Sequence, residues 1–388
     1  MNSVKVNIAP EIIDWLMTNV QVEKLGNALL EQFGLWKTGE KNPTFNQIED
    51  ISKKTNIPFG YFFLERPPIE VNELVEYRTV DSDNLRDPSR NLTDTIDSMK
   101  SIQDWMRDYA RDTGRIEPAF VGMLNIDSDS IEAAKKIRSV IGLEDDWYKK
   151  SNGLPSSFKI IRNRCEEAGV IVMMNGVVGQ NTRRPLDTKE FRAFTLIDEM
   201  VPLIFINTTD SEVGKLFSIV HELVHIFLGT SSLYNQVEFN NTSISKLEIL
   251  CNSIAAEILV PTSYFTLEWN QDDSDTKERI KNLASFFKTS RQVICRKALD
   301  NGLISKQVYF DLMKVFELEF LNWLQERKTN KSSGGNYYNT AASRFDFNLI
   351  RALNNSAKEG RTQYGDVYRL TGTNRTTFAK LVETMGAL

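Results

Sequence analysis

Val220-His221-Glu222-Leu223-Val224-His225-Ile226-Phe227-Leu228-Gly229 is the stretch from which the fold is read. Upstream, Asp210-Ser211-Glu212 offers a cap and an acid at a helix start. Gly229 offers the left-handed residue that ends a helix. Residues four apart share a helical face, so His221 and His225 aim both imidazoles at one point. They are the only two histidines in 388 residues, which leaves little room for coincidence. Neutral imidazole is a good donor for Zn²⁺. Glu222 sits beside the first of them, where a carboxylate can take a proton from a water that the metal activates.

A catalytic zinc keeps three protein ligands and one open position. With no third histidine, the third ligand is a carboxylate or, less readily, Cys251. The downstream candidates are Glu238, Glu248 and Glu257. Glu238 lies in a polar loop, Gln236 to Ser245, a poor place to hold a ligand rigidly. The other two share a helix with Ser245 as cap and Pro261 as stop. At about 100° per residue they lie on opposite faces. Glu248 shares its face with Asn252, Ala255, Ala256 and Leu259, and the alanines allow close approach to the histidine helix. The reading therefore takes Glu248 as ligand, Asn252 as partner of a histidine's outer nitrogen, and Glu257 as a structural carboxylate with an arginine as its partner. Tyr234 is the nearest candidate oxyanion donor.

Upstream of this pair the chain mixes types. Phe158 to Ala168 has helical spacing and ends at Gly169. Val170 to Met174 is a buried-strand run, Phe191 to Leu196 alternates as a strand, and Pro202 to Asn207 is a third strand. A helix, three strands and the histidine helix make an α+β unit, mostly helical with a small mixed sheet. After Pro261 the pattern is helical, broken at Lys331 to Asn336 by a linker. Toward the start, Pro10 and Glu11 open a helix. Thr44 caps another that carries Ile48, Ile51 and Ser52, and Ile57 to Leu64 is an apolar cluster that docks this module. A loop covers 79–91 and a helix runs from about Leu92 to Ala110. A further helix spans Ser130 to Ile141, with Ser128 or Ser130 as cap.

Composition sets bounds. Hydrophobic residues make up 41% and charged residues 26%, enough for a real core. A net charge of −5 excludes a surface that coats nucleic acid or acidic membrane as a whole. No apolar run approaches the ~18 residues needed to cross a bilayer, and the first residues lack a secretory segment. Cys165, Cys251 and Cys295 are scattered and odd in number, as free thiols in a reducing compartment are. The expected location is cytoplasmic.

The pairing of His221-Glu222-Leu223-Val224-His225 with Glu248, Asn252, Ala255-Ala256-Glu257, Leu259 and Pro261 resembles the ImmA/IrrE family of zinc metallo-endopeptidases. That family's pattern is HExxH followed by E-x-x-x-N-x-x-A-A-E-x-L-x-P. The resemblance implies a gluzincin-like core with Glu248 as third ligand. It extends through Phe191-Arg192-Ala193-Phe194, where family members often have glycine in place of Ala193. A strand in this region would border the site and accept an extended peptide. The implied substrate is a repressor or an antitoxin-like partner, in a mobile-element, phage or toxin–antitoxin setting. Trp36 to Thr44 and Ile57 to Tyr61 are similar to the Cro/repressor-type helix-turn-helix, and residues 334–381 look like the tail of long family members.

The expected organisation is a helix-turn-helix-like domain over 1–70, a helical connector over 71–119, the zinc metallopeptidase domain over 120–270, a helix-turn-helix-like helical domain over 271–330 and a basic helical module over 331–388. Residues 1–66 hold seven basic and eight acidic side chains, a poor balance for contact with phosphates. Residues 277–307 hold eight basic and two acidic, and 327–388 ten and four. Arg291, Arg296, Lys297, Arg369 and Arg375 are the first side chains to test for DNA contact; the bland reading is solvated helical hairpins. The competing function is a DNA-binding regulator, or an antitoxin, in which the zinc domain is structural or sensory. A salt-dependent gel shift would favour the regulator, and an intact stoichiometric partner the antitoxin.

Overall fold

The computed structural model describes residues 4–19, 27–68, 88–234, 246–329 and 337–387. Two compact units divide the chain, residues 1–96 and 97–388. In the first, helices α1 (Pro10–Asn19), α2 (Asn27–Lys37) and α3 (Phe45–Thr55) enclose Ile12, Ile13, Leu16, Phe33, Ile48 and Ile51. Thr44 and Gln47 form a capping box at the start of α3. Ile57 and Phe62 dock on this core, whereas Phe59, Phe63 and Leu64 stay exposed, and the two phenylalanines stack with Phe45. The expected loop over 79–91 lies mostly outside the described residues. Helix α4 (Arg90–Asp112) contains the boundary between the units.

In the second unit, α5 (Ser130–Val140) starts behind Asp129, whose carboxylate accepts from Ile131 N and Glu132 N, each at 3.0 Å. This corrects the expected serine cap. Ser130 is already helical, and the Ser128 hydroxyl is engaged by Asn125 N. Helix α6 (Leu154–Ala168) begins four residues before the predicted start, with Pro155 in its first turn, and ends on left-handed Gly169.

The sheet is small and mixed. Strands β1 (Ile171–Asn175), β4 (Ala193–Leu196), β5 (Leu203–Asn207) and β6 (Ser232–Tyr234) lie in the order β1-β5-β4-β6, with β1 and β5 parallel and the other pairs antiparallel. Strands β2 (Val177–Val178) and β3 (Asn181–Pro185) form a separate hairpin. β4 does not alternate in burial as predicted; all four of its side chains are buried. Both faces of the sheet are covered. Ala193, Ile204 and Ile206 face the main core, while Phe194 and Phe205, one residue out of step, stack on each other with Phe191 tilted against both. Each such buried side chain contributes about 1.5–3 kcal/mol. The β1 edge is sealed by the chain at 344–346: Met174 N donates to Arg344 O at 3.0 Å and Val172 N to Asp346 Oδ2 at 3.1 Å. Among the described residues the opposite edge is β6, so β4 and β5, the strands between 191 and 207 expected to accept a peptide, are both interior.

Helix α7 (Glu212–Leu228) packs on β4, β5 and on α8 (Lys246–Leu259). Four helices follow, α9 (Thr262–Gln271), α10 (Thr276–Phe286), α11 (Arg291–Asp300) and α12 (Lys306–Thr329). The chain closes with α13 (Tyr337–Ser343), α14 (Phe347–Lys358), α15 (Tyr364–Thr371) and α16 (Arg375–Met385). The linker read at 331–336 lies outside the described residues. The three cysteines are free and buried. Among the described residues no helix is long and apolar enough to cross a membrane.

Candidate metal centre

Two helices supply the polar centre. Ser211 caps α7 by accepting from Gly214 N at 3.0 Å, and Gly229, left-handed at φ 68°, ends it. A Cβ at Gly229 would approach Gly122 Cα to 3.1 Å, so this turn needs glycine for space as well as for conformation. Between these ends His221, Glu222 and His225 are all buried. α8 lays Cys251 and Ala255 in the shared core, and Glu248 at its start reaches the two imidazoles.

The donor atoms converge. His221 Nε2 and His225 Nε2 are 3.2 Å apart; Glu248 Oε2 is 3.2 Å from the first and Glu248 Oε1 is 3.3 Å from the second. Tetrahedral coordination with bonds of about 2.0–2.1 Å sets ligands about 3.3–3.4 Å apart. Two imidazole nitrogens and a carboxylate at these separations fit one small divalent cation. Burial works against the charged Glu248 carboxylate, but hydrogen bonds and charge from His221 and His225 outweigh it and hold its pKa well below the usual range.

Glu222 faces the sheet. Its Oε2 accepts from Thr195 Oγ1 and from Ser232 Oγ, each at 2.5 Å. Thr195 and Ser232 are direct partners in the β4–β6 register, so one rung of the sheet presents both hydroxyls. Glu222 Oε1 is buried with no hydrogen-bond partner among the described residues. Burial pushes the carboxyl up to about 7, against the pull of His225 and the two hydroxyls, with Glu248 adding to the rise.

Beyond the ligands, the structure departs from the sequence reading. Asn252 is half-buried and makes no hydrogen bond to either histidine. His225 Nδ1 instead lies 3.1 Å from Thr230 Oγ1, and Thr230 N donates to His225 O at 3.1 Å. Thr230 follows the glycine that ends α7, so its hydroxyl folds back beneath the last turn, beside His225 Nδ1. Cys251, the alternative ligand, meets the outer nitrogen of His225, with Sγ 4.0 Å from Nδ1, and burial pushes its thiol far up. It is a neutral neighbour and no thiolate donor. Glu257 is buried on the far side of α8, where the partner of its carboxylate is Lys297 and not an arginine. Thr262 N and Oγ1 complete its shell at 2.8 and 2.6 Å, and Arg138 reaches its backbone carbonyl at 2.9 Å. Glu238, Ser245 and the side chain of Tyr234 lie outside the described residues.

Sequence reasoning missed Thr195, Thr230 and Ser232. The one signal available was the hydroxyl run Thr230-Ser231-Ser232 directly after Gly229. Among known proteins, residues 347–384 match a family model described as a domain of unknown function. No curated protein and no solved structure matches the chain. Residues 165–299, which hold every residue of the centre, match the peptidase family model described as the IrrE N-terminal-like domain, so this segment is similar to the metallopeptidases of the ImmA/IrrE type.

Proposed function

We propose that the chain is a zinc-dependent endopeptidase that cuts a regulatory protein. The observation that carries this reading is the triangle of His221, His225 and Glu248 donors at 3.2–3.3 Å with Glu222 buried beside it. Among the described residues three protein donors converge, the number that a catalytic zinc site takes. A zinc ion held there supplies Lewis acidity, which makes water a nucleophile at neutral pH and polarises the scissile carbonyl.

The chain's own residues do the rest. Thr195 and Ser232 hold Glu222 Oε2, which fixes the carboxylate plane and leaves Oε1 to receive a proton from the attacking water. Glu222 then delivers that proton to the leaving amine. A carboxylate held in this way beside the donor triangle is placed for both transfers. The substrate class, a repressor or antitoxin-like protein in a mobile-element, phage or toxin–antitoxin setting, follows from resemblance to the family.

The test is Glu222→Gln, an isosteric change that keeps the donors. Metal content is read by elemental analysis, and new protein N-termini are mapped in a cell lysate given wild type or variant. The expected result is one zinc per chain in both proteins and new N-termini with wild type alone. Equal cleavage by the zinc-loaded variant sinks the reading.

A further inference from the structure

The metal centre gives no role to the C-terminal helices. Helices α15 and α16 are joined by Gly372-Thr373-Asn374, with Gly372 left-handed at φ 62°. Asn374 caps α16 by accepting from Thr377 N at 2.9 Å. Val367, Phe378, Leu381 and Val382 are buried, with Leu349 and Leu353 of α14 also buried. That packing turns one face of α16 outward: Asn374, Arg375, Thr376, Ala379, Lys380 and Glu383 are all exposed. The middle of the face, Thr376 and Ala379, is small. Two short helices about a tight glycine turn, with the second helix presenting a small-centred polar face, is the geometry that seats a helix in the major groove of DNA.

Charge points the same way. Residues 337–387 hold seven basic and four acidic side chains in a chain of net charge −5, and one of the four acids, Asp346, is buried. The other three are each matched by a basic neighbour: Glu359 by Arg361, Asp366 by Arg369 and Glu383 by Lys380. Lys358 and Arg375 have no acidic partner among the described residues, so the exposed balance is cationic, complementary to a phosphate backbone. In the other basic segment the second helix, α11, differs from α16. Each of its basic side chains is met by an acid: Lys297 is buried on Glu257, Arg291 is paired with Glu319 and Arg296 with Asp300. The module is also tied to α6, whose Arg162 donates to Ser343 O and Phe345 O at 2.6 and 2.5 Å.

We infer that the exposed face of α16 binds duplex DNA in the major groove. This inference stands apart from the peptidase reading. The experiment uses the full chain and fluorescence anisotropy with a labelled mixed-sequence duplex of about three helical turns. Binding is expected at about 50 mM salt and falls steeply by about 200 mM. The double variant R375A/K380A weakens it about tenfold or more, and Ala379→Glu, which puts an acid at the centre of the face, removes it. Thr376→Lys tightens it and tests the face even if Ala379→Glu perturbs the helix. The inference is overturned by absence of binding at low salt, by affinities that these variants leave unchanged, or by equal affinity for double-stranded RNA, whose deep narrow major groove excludes a helix.

Discussion

Glu222 and Glu257 are both buried carboxylates of the same unit, and they are treated in opposite ways. Glu257 is fully met, by Lys297 and by two donors from Thr262, and it ties α8 to the start of α9 and to α11. Glu222 has two hydroxyls on one oxygen and, among the described residues, no partner on the other, and burial pushes its carboxyl up to about 7. A buried charge is tolerated when its shell is complete and weakens the fold when one partner is missing. On the proposed function, the difference separates a carboxylate kept for structure from one kept for catalysis, on chemistry that helical spacing alone does not reveal.

The largest expected effect breaks the comparison from the Glu222 side. Glu222→Gln lowers peptide hydrolysis by about 10²–10⁴-fold, the usual contribution of a general base. It also removes a poorly compensated buried charge, so the melting temperature of the variant is expected to hold or rise. A clear drop would mean that Glu222 is as structural as Glu257. The second effect comes from the other side. Lys297→Ala leaves Glu257 buried without its cation, which costs about 3–5 kcal/mol, read by denaturant unfolding. If that variant is as stable as wild type, the ion pair does not anchor α11 on α8.

How much of this was legible follows from the range of each interaction. His221, Glu222 and His225 lie within one helix, and Glu248 faces them because helical periodicity puts Glu248 and Glu257 on opposite sides of α8; such signals are local, and the structure brings the three donors together as they foretell. Thr195 and Ser232 meet Glu222 only because β6 pairs with β4 in a register that sets these two residues opposite each other. That register spans 37 residues of sequence and leaves no periodic trace in so short a strand. The same reason hid β6 itself. The choice of an arginine for Glu257 failed similarly: Arg138 and Lys297 both approach it, and the tertiary packing gives the carboxylate to the lysine and the backbone carbonyl to the arginine.

Around the histidines the comparison sharpens further. Thr230→Val removes the oxygen that meets His225 Nδ1 and keeps the side chain's shape. With a metal on Nε2, Nδ1 would carry the proton and donate to Thr230 Oγ1, 3.1 Å away. Loss of such a partner typically lowers metal affinity about 10–100-fold, measured by zinc competition with a chromophoric chelator, and Thr230→Ser should restore it. Unchanged affinity in the valine variant would remove Thr230 from the centre.

Asn252 gives the smallest effect and the most pointed one. It stands one helical turn beyond Glu248, on the face that the sequence assigns to the metal, and it fits the family pattern residue for residue. Yet it reaches neither imidazole, and the position beside His225 Nδ1 is taken by Thr230 and, more distantly, by Cys251. Asn252→Ala should therefore shift zinc affinity by less than about 0.5 kcal/mol, the range of a change that breaks no specific contact. A loss comparable to that of Thr230→Val would show that Asn252 holds the centre by another route, for instance through Glu248. The contrast would then lie between two supports of the metal centre and no longer between a support and a bystander.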